Sequence, residues 1–283
     1  MSCLLNLFWP GGVPQGEPGG GPGTTTPEDE CETNLKAEPI AWYSENFYPD
    51  QYPCTLSPWD PPLPDGPGEN PTPEPCDSFI LSLNTNTNFV NYLKTINTQP
   101  ILTQPYESGY AVTFPNTYQV KQGTYNDPAI TWENINNINA ILHCHYSGLA
   151  GIFTPKDIIL MAQIYIGNYA QDSANLFFAL TTPTGNPLIM KVKDPAAFRE
   201  FALSIVGDGI GGWDKKKMDD FIYDYADKLR NPNQEINMVA FLNMLKDKNA
   251  ENAIGLYQSD ENCTNWNPAT LSPFGSLLTD PCQ

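Results

Sequence analysis

Basic residues are scarce in this chain, and histidine is nearly missing. Lys and Arg number 14 against 32 Asp and Glu, which leaves a formal charge of −18 at pH 7. A surface of that sign repels phosphate backbones and anionic headgroups, so nucleic acid is set aside as a partner. No apolar run approaches the roughly 18–20 residues that cross a bilayer, and no transmembrane helix is expected. Met1 to Pro10 has no basic stretch ahead of its apolar residues, and Asn6 interrupts them, so no secretory signal is visible. Two settings stay open: the cytoplasm, or a secreted or cell-envelope location if the chain is part of a longer exported protein. The cysteines follow no recognisable framework spacing and are odd in number. Cys3, Cys31, Cys54 and Cys76 precede the main apolar segments, Cys263 and Cys282 follow them, and Cys144 stands alone. Terminal cysteines of this kind suit an oxidising compartment, where they staple segments without a core.

What is present is unevenly distributed. Residues 1–76 hold 16 of the 28 prolines, together with a Gly/Pro tract from Gly11 to Gly23. Neither helices nor ladders tolerate that composition, which predicts a largely disordered leader or linker with aromatic anchors such as Trp42, Tyr43, Phe47 and Tyr48. From residue 77 the pattern changes to alternating elements. Phe79 to Leu83 reads as a short strand or lead-in, and Phe89, Val90, Leu93 and Ile96 recur at helical spacing before Pro100 and Pro105. Tyr110, Val112 and Phe114 alternate as in a strand, with Tyr118 to Lys121 as its hairpin partner. Ile130 to Trp132 and Ala140 to His145 read as further strands, the second nearly continuous in apolar character and therefore central. A helix follows from Pro155 to Gly167, then a β-hairpin made of Leu176 to Thr181 and Leu188 to Val192.

Beyond residue 195, helical patterns at Pro195 to Val206, Lys215 to Leu229 and Ile236 to Lys246 predict a small helical extension, 196–258, packed on the sheet. An irregular tail is expected over 259–283. The fold class that results is α+β, a mixed sheet flanked by helices.

Both histidines of the chain fall within His143-Cys144-His145, at the end of the central strand. Residues i and i+2 of a strand point to one face, so the two imidazoles aim at one place while Cys144 points the other way. Neutral imidazole is a favoured zinc ligand, and a catalytic zinc takes three protein ligands and keeps one position for water. Asp157, 12 residues after His145 in the first turn of the next helix, is available as the third.

His143-x-His145 followed by Thr154-x-x-Asp157 resembles the JAB/MPN (JAMM) metalloprotease signature, a His-x-His followed by Ser-x-x-Asp. Glu107-Ser-Gly-Tyr-Ala-Val, after the Phe89 to Ile96 helix, resembles the segment that carries the family's catalytic glutamate. The resemblance covers roughly residues 78–195 and implies a JAB/MPN-like metallohydrolase domain over 77–195. It implies Zn2+ on His143, His145 and Asp157, and a zinc-dependent peptidase or isopeptidase with a protein or peptide substrate. Glu107 would take a proton from the zinc-bound water and deliver it to the leaving amine, and Thr154 would offer its hydroxyl to the developing oxyanion. Tyr146 stands where the family has proline, and Thr154 where it has serine.

Plainer readings accompany each residue. Thr154-Pro155-Lys156-Asp157 is also a complete helix start, with an N-cap, proline at the first position and an acidic residue at N3. Glu133 competes with Glu107 as the base, and Cys144 is read as a small buried apolar residue. Two other functions are open: a catalytically inactive MPN-like scaffold that binds a protein partner, and an effector or toxin domain of a larger exported protein.

Overall fold

A computed structural model describes residues 77–113, 117–133 and 135–279. The leader over 1–76 lies outside the described residues, as do Cys3, Cys31, Cys54, Cys76, Phe114 and Cys282. The described chain forms an α+β fold around one mixed sheet.

Two short helices open it, α1 (Ser78–Thr85) and α2 (Thr87–Ile96), each started by a side-chain cap. Asp77 accepts the Phe79 N–H at 2.8 Å and Asn86 accepts the Phe89 N–H at 3.1 Å, which satisfies donors that a helix start leaves without partners. Phe79 to Leu83 is therefore helix rather than strand. Ile80 and Leu83, three apart, bury one side of that helix. The one-turn helix α3 (Gln99–Leu102) follows, with Pro100 in its first turn.

The strands are β1 (Ser108–Thr113), β2 (Thr117–Gln122), β3 (Ile138–Cys144), β4 (Phe177–Thr181), β5 (Leu188–Val192), β6 (Ile254–Ser259), β7 (Trp266–Leu271) and β8 (Leu277–Leu278). They form one sheet in the order β2-β1-β3-β4-β5-β6-β7-β8. β3 and β4 are parallel, joined through helix α4 (Pro155–Ile166), and the other pairs are antiparallel. The parallel pair sits inside the sheet, as its unbroken apolar sequence demands.

Alternation along the strands divides the core in two. Ile141, Phe178, Leu180, Leu188 and Met190 face α4 and the later helices α5 (Pro195–Val206), α6 (Lys215–Tyr225) and α7 (Gln234–Asp247). Ala140, Leu142, Cys144, Ala179 and Ile189 face α1 and α2. At ~25 cal/mol per Å² of apolar surface, these two interiors supply the dominant favourable term of folding.

Three stretches differ from expectation. Ile130 to Trp132 takes no part in the sheet, although Ile130 and Trp132 are buried. Residues 254–258, expected within the helical extension, begin β6. The expected irregular tail contributes the end of β6 together with β7 and β8, and Asp260 closes the β6–β7 turn by accepting the Thr264 N–H at 2.9 Å. The three later helices thus lie between two neighbouring strands, β5 and β6. Among the described residues no helix is long and apolar enough to cross a membrane.

Candidate metal centre

β3 delivers the site. His143 is its penultimate residue and points to the face shared with Ile141, whereas Cys144 points into the opposite core. His145 lies one residue past the strand, where its N–H still bonds the Thr181 carbonyl of β4 at 2.9 Å. α4 then brings Asp157 back from its first turn. One ligand atom from each of His143, His145 and Asp157 lies within 4.8 Å of the others. His143 Nε2 stands 3.3 Å from Asp157 Oδ1, and His145 Nε2 stands 3.6 Å from Asp157 Oδ2.

Each imidazole is held differently. His145 Nδ1 is 2.7 Å from the Ala150 carbonyl, an acceptor that calls for a proton on Nδ1, and Nε2 faces Asp157. His143 is 2% exposed, and among the described residues neither of its ring nitrogens has a hydrogen-bond partner. A buried polar atom left in that condition costs ~1–3 kcal/mol, and a cation between the two imidazoles and the carboxylate would satisfy Nε2. The rest of its surroundings is apolar: the Trp132 ring meets it edge-on at 6.5 Å and Phe153 lies at 6.2 Å.

The electrostatics agree with that donor set. Burial alone would raise the pKa of Asp157, but the adjacent His143 and His145 imidazoles hold it well below the usual carboxylate range. Burial alone would lower the pKa of His145, and the Asp157 carboxylate reverses this, with smaller help from the Glu107 charge and the Ala150 carbonyl. Two buried imidazoles and a half-buried ionised carboxylate are a donor set that could hold a metal ion.

Glu107 immediately precedes β1, and its charge is felt at both His145 and Cys144. It is not one of the three clustered ligands. Its backbone N–H bonds the Pro128 carbonyl at 2.8 Å, its carbonyl accepts the Gly123 N–H at 2.9 Å, and its Oε2 accepts the Ile130 N–H at 3.1 Å. This one residue therefore fixes the segment that carries Trp132 against His143. The rival carboxylate, Glu133, belongs to that segment, and its backbone carbonyl accepts from Lys121 Nζ at 3.1 Å. Thr154 donates its hydroxyl to Asp157 Oδ2 at 2.8 Å, so the hydroxyl is engaged with the carboxylate. Burial pushes the Cys144 thiol up to about 11, and its sulfur accepts the Ser108 N–H at 3.3 Å, leaving it a poor nucleophile at neutral pH.

Sequence reasoning did not find Trp132, Phe153 or Ala150 as parts of the centre. No local pattern announces them, because each reaches the histidines only through the packing of loops. Gly109 was in view only as a neighbour of Glu107, and the register explains it. It pairs with His143, and a Cβ there would lie 2.2 Å from the Leu142 carbonyl oxygen and 3.0 Å from both Cα and Cβ of His143. Gly109→Ala is expected to push β3 away from β1 at the ligand itself. Overpacking of this kind costs ~1–3 kcal/mol, which a melting curve of the apo protein would show as a loss of about 2–10 °C. An unchanged melting temperature would mean that the two strands have slack.

Comparison with protein-family models, with curated proteins and with solved structures finds no match to this chain.

Proposed function

We propose that the chain is a zinc-dependent peptidase or isopeptidase of the JAMM type, hydrolysing an amide bond in a protein or peptide. The observation that carries this reading is the convergence of His143, His145 and Asp157, with neither ring nitrogen of the buried His143 hydrogen-bonded among the described residues. His143 Nε2, His145 Nε2 and the Asp157 carboxylate would hold the ion, three protein ligands with one position left over. Zinc bound there supplies a Lewis acid and brings the pKa of a water towards neutrality. Glu107 serves as the proton carrier, accepting a proton as the water attacks and returning it to the departing amine. Trp132 and Phe153 keep the surroundings of the reacting groups dry, which strengthens every charge interaction among them.

A second reading, an MPN-like scaffold that retains its metal and binds a protein partner, is favoured by one observation. His143 and His145 are 2% and 1% exposed, and two cavities of about 540 and 370 Å³ lie elsewhere in the fold, lined by none of the three residues.

The two readings part on a cleavage screen of zinc-loaded protein against peptide and isopeptide libraries. The peptidase reading expects cleavage that a chelator abolishes and added zinc restores. Zinc-loaded protein that cleaves nothing in either library favours the scaffold.

A further inference from the structure

The two oxygens of Asp157 are not equivalent. Oδ2 accepts both the backbone N–H of Thr154 at 2.7 Å and its hydroxyl at 2.8 Å, and faces His145 Nε2 at 3.6 Å. Oδ1 carries neither of those hydrogen bonds and stands 3.3 Å from His143 Nε2. Pro155, the first helical residue, has no N–H to give, so the donors at this helix start that reach Asp157 both come from Thr154. With two donors on one oxygen, the carboxylate cannot rotate without breaking hydrogen bonds to a charged group.

We infer that Thr154 is a positioning residue that ties down Asp157 Oδ2 and leaves Oδ1 as the single carboxylate atom presented to the metal. The inference rests on the zinc reading above and departs from it in one respect: the threonine hydroxyl serves the ligand and is not a donor to an oxyanion. The same helix-capping contacts that start α4 thereby set the denticity of the third ligand. Groups that orient a metal ligand in this way contribute about 10–100-fold in metal affinity.

The test is zinc affinity of the full chain, measured by competition with a chromogenic chelator. Thr154→Val keeps the shape and removes the hydroxyl, and it is expected to weaken zinc binding by about 10–100-fold. Thr154→Ser, which keeps the hydroxyl, is expected to bind as the wild type does. A Thr154→Val protein with wild-type zinc affinity overturns the assignment, and loss of turnover at unchanged affinity would return the hydroxyl to the oxyanion. X-ray absorption of the zinc-loaded wild type gives a second readout that needs no variant. One short carboxylate oxygen is expected, and two at equal distance overturn the inference. Failure of the parent reading looks different, because the wild type itself would then bind no zinc.

Discussion

Glu107→Gln is expected to lower turnover by about 10²–10⁴-fold while leaving the zinc content unchanged. The substitution is nearly isosteric, and an amide oxygen can still accept the Ile130 N–H that Oε2 accepts at 3.1 Å. The backbone bonds of residue 107 to Pro128 and Gly123 do not involve the side chain and should persist. The segment bearing Trp132 therefore stays in place, and what disappears is the capacity to hold a proton. Steady-state kinetics on any substrate found in the cleavage screen, paired with metal analysis of the same sample, checks this. Undiminished turnover would remove Glu107 from the mechanism. Lost turnover together with lost zinc would make Glu107 a support of the site instead of its base.

His143→Ala should have the largest effect on metal binding. Zinc held by four protein ligands gains about 10–16 kcal/mol, so one ligand accounts for roughly 3–4 kcal/mol, or about 10²–10³-fold in affinity. The apo fold should tolerate the change better than an ordinary core truncation. The imidazole removed has no hydrogen-bond partner among the described residues, and its deletion relieves two buried unsatisfied nitrogens even as it opens space beside Trp132 and Phe153. Zinc titration of the variant beside the wild type gives the ratio, and circular dichroism shows whether the fold persists. Equal affinity in the two proteins would place the metal elsewhere.

Much of this was legible in the sequence, and the reason is local. β3 announces itself by a continuous apolar run, its two histidines by their scarcity and i, i+2 spacing, and α4 by Thr154-Pro155 at its start. The β4–β5 hairpin is likewise written into contiguous residues. The failures are elements whose identity depends on distant partners. β6 pairs with β5 across more than 60 intervening residues, and β7 contains Pro268, a residue that argues against a strand until its partner is known. α1 is too short to display a helical period, and its clearest signal is the Asp77 cap one residue before it. Ile130 and Trp132 have strand-like composition because they are buried, yet their backbone is tied by Glu107 instead of a neighbouring strand. At the site, the convergence of His143, His145 and Asp157 was readable and its supports were not. Gly109 matters through its register with His143, and Ala150 through a carbonyl that any residue would supply.

Every step of the proposed chemistry depends on one zinc ion at His143, His145 and Asp157. The most direct test is therefore metal content: the wild-type protein, dialysed against excess zinc and then against metal-free buffer, is assayed by elemental mass spectrometry. One zinc per chain is predicted, falling to a small fraction of that in His143→Ala. A wild-type protein that retains no zinc after saturation would contradict the account.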